Sequence, residues 1–225
     1  MRMITTLAIV AALCLMTTAA TAADEAKKDA PKTINLLEKK SLDGWDFFLV
    51  DPEVKKADVW SFNDAGNLCC KGKPMGYLCT KEKFKNFKLK VEWRWPEEPS
   101  NSGVLMRIHE EPAALPHCVE AQLQSGSAGD FWAFHDFVID GPELTKKESP
   151  QHGVIRGLKK KVAAEKEPGE WNLYEIVVKG DKIEVSINGK EVNRATGVEE
   201  SAGLLGFQSE GGPIEFRTIE VTPLD

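Results

Sequence analysis

The sequence predicts an all-β protein, an antiparallel β-sandwich of the jelly-roll type carried by a single domain. Three observations predict it. Apolar and polar residues alternate with period two through many short segments, each segment is bounded by Gly, Pro, Asn or Asp, and no long stretch carries a helical period. Short strands with frequent turn signals and almost no helix pack as sandwiches or barrels, because each strand has one face to bury.

The first 22 residues lie outside that pattern. They carry Arg2, an apolar run from Leu7 to Met16 and the small residues Ala20-Thr21-Ala22, which together read as a cleavable signal peptide. The run is shorter than the roughly 20 apolar residues that span a bilayer, and no other segment could cross one. Cys14 follows Leu13 rather than a small residue, so lipidation is not expected. The chain is therefore expected in the periplasm or outside the cell. Residues 23–33 are rich in Ala, Lys, Asp and Pro, cannot bury much surface, and read as a disordered tether. The folded domain is expected over residues 34–225, long enough for a substantial core.

Within the domain, Phe87, Leu89, Val91, Trp93 and Trp95 alternate with Lys88, Lys90, Glu92 and Arg94, which is a half-buried strand. Similar segments follow at Val104–Ile108, Val119–Leu123, Leu173–Val178, Ile183–Ile187, Leu204–Gln208 and Ile214–Val221. Asn188-Gly189 joins Ile183–Ile187 to Glu191–Arg194 as a hairpin, since both turn residues tolerate positive φ. The stretch from Ser125 to Pro168 breaks the rhythm and is expected to be a long loop covering one face. Lys159-Lys160-Lys161 within it reads as a solvated loop segment. Cys69 and Cys70 point to opposite faces of a strand, so at most one can meet Cys79 across a hairpin; one disulfide or packed thiols both fit.

A formal net charge of −6 and no basic stripe exclude a nucleic-acid partner. Cys118 to Gln124 alternates, with Val119, Ala121 and Leu123 for the core and Glu120, Gln122 and Gln124 for an open sheet. Three side chains in a row that can bind hydroxyls make a floor for a sugar, or an ordinary solvated sheet face. Arg107 shares the phase of Gly103 and Leu105, so it should leave the core, to pair with Glu120 or bind a substrate oxygen. Gln208 and Glu210 lie opposite Phe207 and could extend the same surface. Trp132, in a polar stretch, could stack on a sugar ring. Arg217, opposite Phe216, reads as a cross-strand ion-pair partner. His135, beside Asp136, is the histidine best placed for acid–base work, because imidazole titrates near neutrality. None of the four histidines has the spacing of a zinc helix; a divalent metal assembled from separate loops stays open as a cofactor. The carboxylate pair of ordinary sandwich glucanases is missing from the Glu120 strand, which offers one carboxylate and two amides.

Six blocks then stand in order: Gly72-Lys73-Pro74-Met75-Gly76-Tyr77-Leu78, Asn101-Ser102-Gly103-Val104-Leu105-Met106-Arg107, Glu120-Ala121-Gln122-Leu123, Gly169-Glu170-Trp171-Asn172, Ile187-Asn188-Gly189, and Gly206-Phe207-Gln208 with Glu215-Phe216-Arg217. Together they resemble the 3-keto-disaccharide hydrolase domain family, over nearly the whole mature chain. The resemblance implies a concanavalin-like or laminin-G-like jelly roll and cleavage of glycosides already oxidised at C3. A C3 ketone acidifies the C2 proton, so one base can drive elimination at C1, followed by addition of water. The reaction class it implies is that of an exported hydrolase or lyase, with Glu120 or His135 as base and Arg107 or a bound cation holding the enolate. The alternative on the same fold is a non-catalytic carbohydrate-binding module. The chain departs from the family at Gln124-Ser125-Gly126, where an aspartate is frequent, and at Cys79, where an arginine is frequent.

Overall fold

The computed structural model describes residues 31–109 and 112–225. The expected leader, and the tether as far as residue 30, lie outside the described residues. The strands are β1 (Ile34–Asn35), β2 (Trp45–Leu49), β3 (Trp60–Phe62), β4 (Leu68–Cys70), β5 (Gly76–Thr80), β6 (Phe87–Arg94), β7 (Gly103–His109) and β8 (His117–Gln122). They continue as β9 (Phe131–Phe134), β10 (Thr145–Ser149), β11 (Gly153–Leu158), β12 (Asn172–Lys179), β13 (Lys182–Ile187), β14 (Lys190–Ala195), β15 (Leu204–Ser209) and β16 (Ile214–Pro223). A single short α-helix, Lys56–Val59, precedes β3 among the described residues. No helix there is long and apolar enough to cross a membrane.

The strands form two antiparallel sheets. The first has the order β14-β13-β12-β6-β16-β4-β3, with β1 also on β16; the second has the order β10-β11-β9-β8-β7-β15-β5-β2. The all-β sandwich is thus borne out. Consecutive strands such as β6 and β7 lie in different sheets, so the chain crosses between layers repeatedly. The period-two pattern of Phe87–Arg94 becomes a strict alternation of buried and open positions on β6, which is hydrogen-bonded between β12 and β16. Its inward residues Phe87, Leu89, Val91 and Trp93 meet Val104, Met106, Val119, Ala121, Leu205 and Phe207 of the second sheet in one continuous core. Each fully buried aliphatic or aromatic side chain there contributes roughly 1.5–3 kcal/mol. Asn188 and Gly189 hold φ of 51° and 78°, so the hairpin turn takes the left-handed form read from the sequence.

Three expectations need correction. The stretch 125–168 is not a loop: it contains β9, β10 and β11, which extend the second sheet beyond β8. Thr145–Ser149 is open to solvent along most of its length, so it carries no buried face for alternation to report. Cys69 and Cys70 cannot meet Cys79 across a hairpin, because β4 and β5 belong to different sheets; the four described cysteines are free thiols. Lys159 and Lys160 are not simply solvated: they lie 2.7 Å from Asp130 and 3.0 Å from Glu165 and fasten the chain after β11.

Candidate functional site

The second sheet has an outer face, turned away from the core, and its register places the residues of interest there. Gly103 pairs with Gln122 on one side, and Leu105 with Glu120. On the other side Phe207 pairs with Val104 and Gln208 with Tyr77. Beyond the strand ends, Asn101 bridges to Glu210. Alternation does the rest, since residues two apart share a face. Glu120 and Gln122 on β8, Gln208 on β15, and Gln124 and Glu210 just past those strands' ends all follow the outward phase around Gly103. Of the residues proposed from the sequence, these five form one strip. Trp132 stands beside it, opposite Glu120 on β9.

Gly103 is what lets the strip close. A Cβ at this position would lie 2.1 Å from Glu120 Oε1 and 2.4 Å from Gln208 Oε1, so both side chains converge on the space that the missing side chain vacates. Glu120 is only 2 % exposed and Gln208 1 %. Glu120 Oε1, both polar atoms of the Gln208 amide and Asn101 Oδ1 are buried without a hydrogen-bond partner. Buried polar groups are otherwise almost always paired, and leaving one unmade costs about 1–3 kcal/mol. Three such atoms, on Glu120 and Gln208, lie around Gly103, with Asn101 two residues before it, which makes this face the candidate site for a ligand's polar groups.

The polar strip borders an apolar patch of Tyr77, Cys79, Leu105, Ile108, Cys118 and Phe134 on the same face. Burial in these surroundings, with the charge of Glu210 adding, pushes the Glu120 carboxyl well above its ordinary value. Burial raises Glu210 as well. The folded protein therefore keeps the Glu120 proton to a higher pH than the unfolded chain does. Folding stability falls as pH rises through and beyond the ordinary carboxylate range, until the folded group itself ionises. Glu120→Gln is expected to remove that slope and to make the folded protein more stable at neutral pH; parallel denaturation curves at acid and neutral pH check it. An equal slope in both proteins would show that Glu120 is not the group responsible.

Two proposed residues are not in the strip. Arg107 was expected to face Glu120, but a β-bulge intervenes: Met106 pairs with Val119 and His109 with His117, so Arg107 and Ile108 together oppose Cys118. Arg107 takes φ of 54° and is fully buried. Its guanidinium donates to the carbonyls of Glu199, Lys85 and Gly180, tying three loops at one end of the sandwich. Alternation cannot foresee this, because a bulge re-aims the side chain. His135 lies just past the end of β9, level with His117 and so about 10 Å along the sheet from Glu120, at roughly 3.3 Å per residue. Its ring meets His152 at 5.4 Å, and its carbonyl lies 2.7 Å from His117 Nδ1. Trp132 is half-buried; a Cβ on Gly157 would lie 2.7 Å from its indole, and Lys159 Nζ sits 4.8 Å from its ring. Arg217 does pair with Glu92 across β16 and β6.

Asn101 was overlooked as a site residue. It stands in the Asn-Ser-Gly block ahead of β7, whose spacing relative to Gly103 was the available signal. It also lines a hollow of about 450 Å³, bordered by Ser100, Gln124, Ser125, Gly211 and Gly212, at the end of the strip. A second hollow, of about 360 Å³, lies over Val177, Lys179 and Glu184 of the first sheet, and none of its lining side chains has a buried unpartnered atom. Among the described residues, no three His, Cys, Asp or Glu side chains are grouped as a metal site requires.

Residues 32–222 match the family described as the 3-keto-alpha-glucoside-1,2-lyase-like domain. No curated protein matches the chain in sequence. Among solved structures, a Parabacteroides distasonis protein described as a "putative glycosyl hydrolase" superposes with a TM-score of 0.61 at 21% identity, covering 86% of this chain and 94% of that one. The carbohydrate-binding module CBM66 of Bacillus subtilis superposes at 0.54 with 12% identity, covering 79% and 94%. The β-glucanase of Bacillus licheniformis superposes at 0.57 with 8% identity, covering 88% and 100%. At these identities the likeness is one of fold.

Proposed function

We propose that this chain, which belongs to the 3-keto-alpha-glucoside-1,2-lyase-like domain family, cleaves glycosides whose sugar carries a ketone at C3. The observation that carries the reading is the group of unpartnered buried polar atoms around Gly103. They can donate to or accept from the oxygens of a sugar, and β8 beneath them carries one carboxylate beside an amide rather than a carboxylate pair. Direct displacement at C1 needs such a pair to activate water and expel the leaving oxygen. A C3 ketone removes that need, since the adjacent C2 proton becomes acidic enough for a carboxylate to take. Loss of that proton, expulsion of the group at C1 and addition of water to the resulting double bond complete a hydrolysis. Of the two bases suggested by the sequence, Glu120 is at this site and His135 is not. The hollow beside Asn101 and Gln124 has room for the leaving group.

The purified domain is expected to release the aglycone from a 3-keto-glucoside and to leave the unoxidised parent intact. Cleavage of both would point to an ordinary glycosidase. Saturable binding without cleavage of either would favour a carbohydrate-binding module, a reading to which the likeness to CBM66 lends some weight.

The leader adds a location to this proposal. The chain is exported, to the periplasm or beyond, and acts where extracellular glycosides arrive. N-terminal sequencing of the protein recovered from an exporting host is expected to begin at Ala23. Recovery of the chain with Met1 still attached would remove the export argument.

A further inference from the structure

Arg107 was the side chain expected to hold the enolate oxygen, and its guanidinium is bound elsewhere. Two other groups meet above Gly103. Glu120 Oε1 and Gln208 Oε1 both reach the gap above Gly103, both side chains are buried, and neither Glu120 Oε1 nor either polar atom of the Gln208 amide has a partner; half a turn of the amide brings its N–H to the same place. No ion pair to Glu120 exists among the described residues, and its neighbours on this face are Leu105, Cys118 and Trp132. A carboxyl so placed is stabler as a neutral acid, which gives it an O–H to donate. Glu210 differs: it is half-buried, past the end of β15, beside Asn101 and next to Gly211 of the hollow.

Resting on the 3-keto-glycoside reading, we propose that Glu120 acts as a neutral hydrogen-bond donor which, with the Gln208 amide N–H, holds the C3 oxygen, and that Glu210 is the base. Glu210 carboxylate takes the C2 proton, and the C–H electron pair moves onto the C3 oxygen as the enolate forms. Collapse of the enolate restores the C3 carbonyl, makes the C1–C2 double bond and breaks the bond from C1 to the leaving oxygen. That oxygen takes the proton from Glu210. In the second half Glu210 removes a proton from water as its oxygen bonds to C1, and then returns the proton to C2. The Glu120 proton stays in place throughout, so both carboxyls end as they began.

The groups coupled electrostatically to Glu120 are Glu210 beyond β15, Cys118 on its own strand and, from the core side of β8, Tyr174 of the first sheet; the cation over the neighbouring Trp132 ring is Lys159. The acids among them favour the neutral form of Glu120, and Lys159, 65 % exposed at its side chain and 2.7 Å from Asp130, is engaged elsewhere.

The test compares kcat/KM for cleavage of a 3-keto-glucoside across pH. Glu210→Gln is expected to lose about 10³-fold, within the range for removing a general base. Glu120→Gln keeps a neutral donor and is expected to stay within about tenfold of wild type, but to lose the fall in rate on the alkaline side. Glu120→Leu is expected to lose about 10²–10³-fold, as for a deleted oxyanion donor. Abolished turnover in Glu120→Gln, or near-wild-type turnover in Glu210→Gln, overturns the assignment while leaving the substrate reading intact. A wild-type protein that leaves the keto-glycoside uncleaved defeats that reading and this assignment with it. Independently of turnover, the carboxyl carbon-13 resonance of Glu120 is expected at its protonated position at neutral pH, and an ionised position would also overturn it.

Discussion

Replacing Arg107 with alanine is expected to destabilise the domain by at least about 2–3 kcal/mol, since each buried acceptor left unsatisfied costs roughly 1–3 kcal/mol. The side chain is wholly buried, and its guanidinium serves carbonyls from three loops, at Lys85, Gly180 and Glu199. Deleting it leaves those carbonyls facing a cavity rather than water, so each loses its hydrogen bond with no replacement. Lysine does not restore the arrangement, because an ammonium cannot reproduce the planar fork of donors. Denaturant unfolding checks this: the midpoint should fall sharply at an unchanged slope. A loss below about 1 kcal/mol would mean that the loops find other partners, and that Arg107 is free for another role.

The second large effect is at Gly103. Its Cβ position lies 2.1 Å from Glu120 Oε1, 2.4 Å from Gln208 Oε1 and 2.8 Å from Glu120 Cδ, all nearer than non-bonded atoms tolerate. Gly103 is not in the left-handed region, so alanine meets no backbone strain and the effect is purely spatial. One methyl must push apart the two side chains that converge above Gly103. Gly103→Ala is expected to lower kcat/KM by at least about 10²-fold, because donors displaced by an ångström no longer match the reacting geometry. Overpacking should cost only about 1–3 kcal/mol of stability, leaving a folded protein to assay. Unchanged kinetics in a folded Gly103→Ala protein would mean that the gap above Gly103 is not where the reaction occurs.

The core of this fold was legible because its strands have one wet face and one dry face. Phe87–Arg94 alternates in sequence and in burial alike, and Asn188-Gly189 specifies its turn through two positive φ values. Two strands without that asymmetry were missed, whereas β7, β8 and β15, also buried along most of their length, were read from their apolar residues and flanking turn signals. Thr145–Ser149 is polar throughout, and Gly76–Thr80 is buried on both faces, since the outer apolar patch covers the side turned from the core. The site was legible to the same extent and for the same reason. Glu120, Gln122, Gln124, Gln208 and Glu210 were assigned by phase, and they share a face because alternation holds on β8 and β15. Arg107 was misassigned where a bulge shifts the phase of β7. No periodic rule reports that displacement. The function of Gly103 was equally hidden, since a glycine declares only that something else needs its space.

On the proposed route the bond at C1 breaks only after the C2 proton has left. The most direct measurement is a single-turnover cleavage of a 3-keto-glucoside in deuterium oxide, with the released sugar examined at C2 by NMR, alongside the same sugar incubated without enzyme to correct for spontaneous exchange. The predicted result is one deuterium at C2 in the enzymatic product, delivered by the base after exchange with solvent. A product that keeps its original C2 proton would show direct displacement at C1 and would contradict elimination.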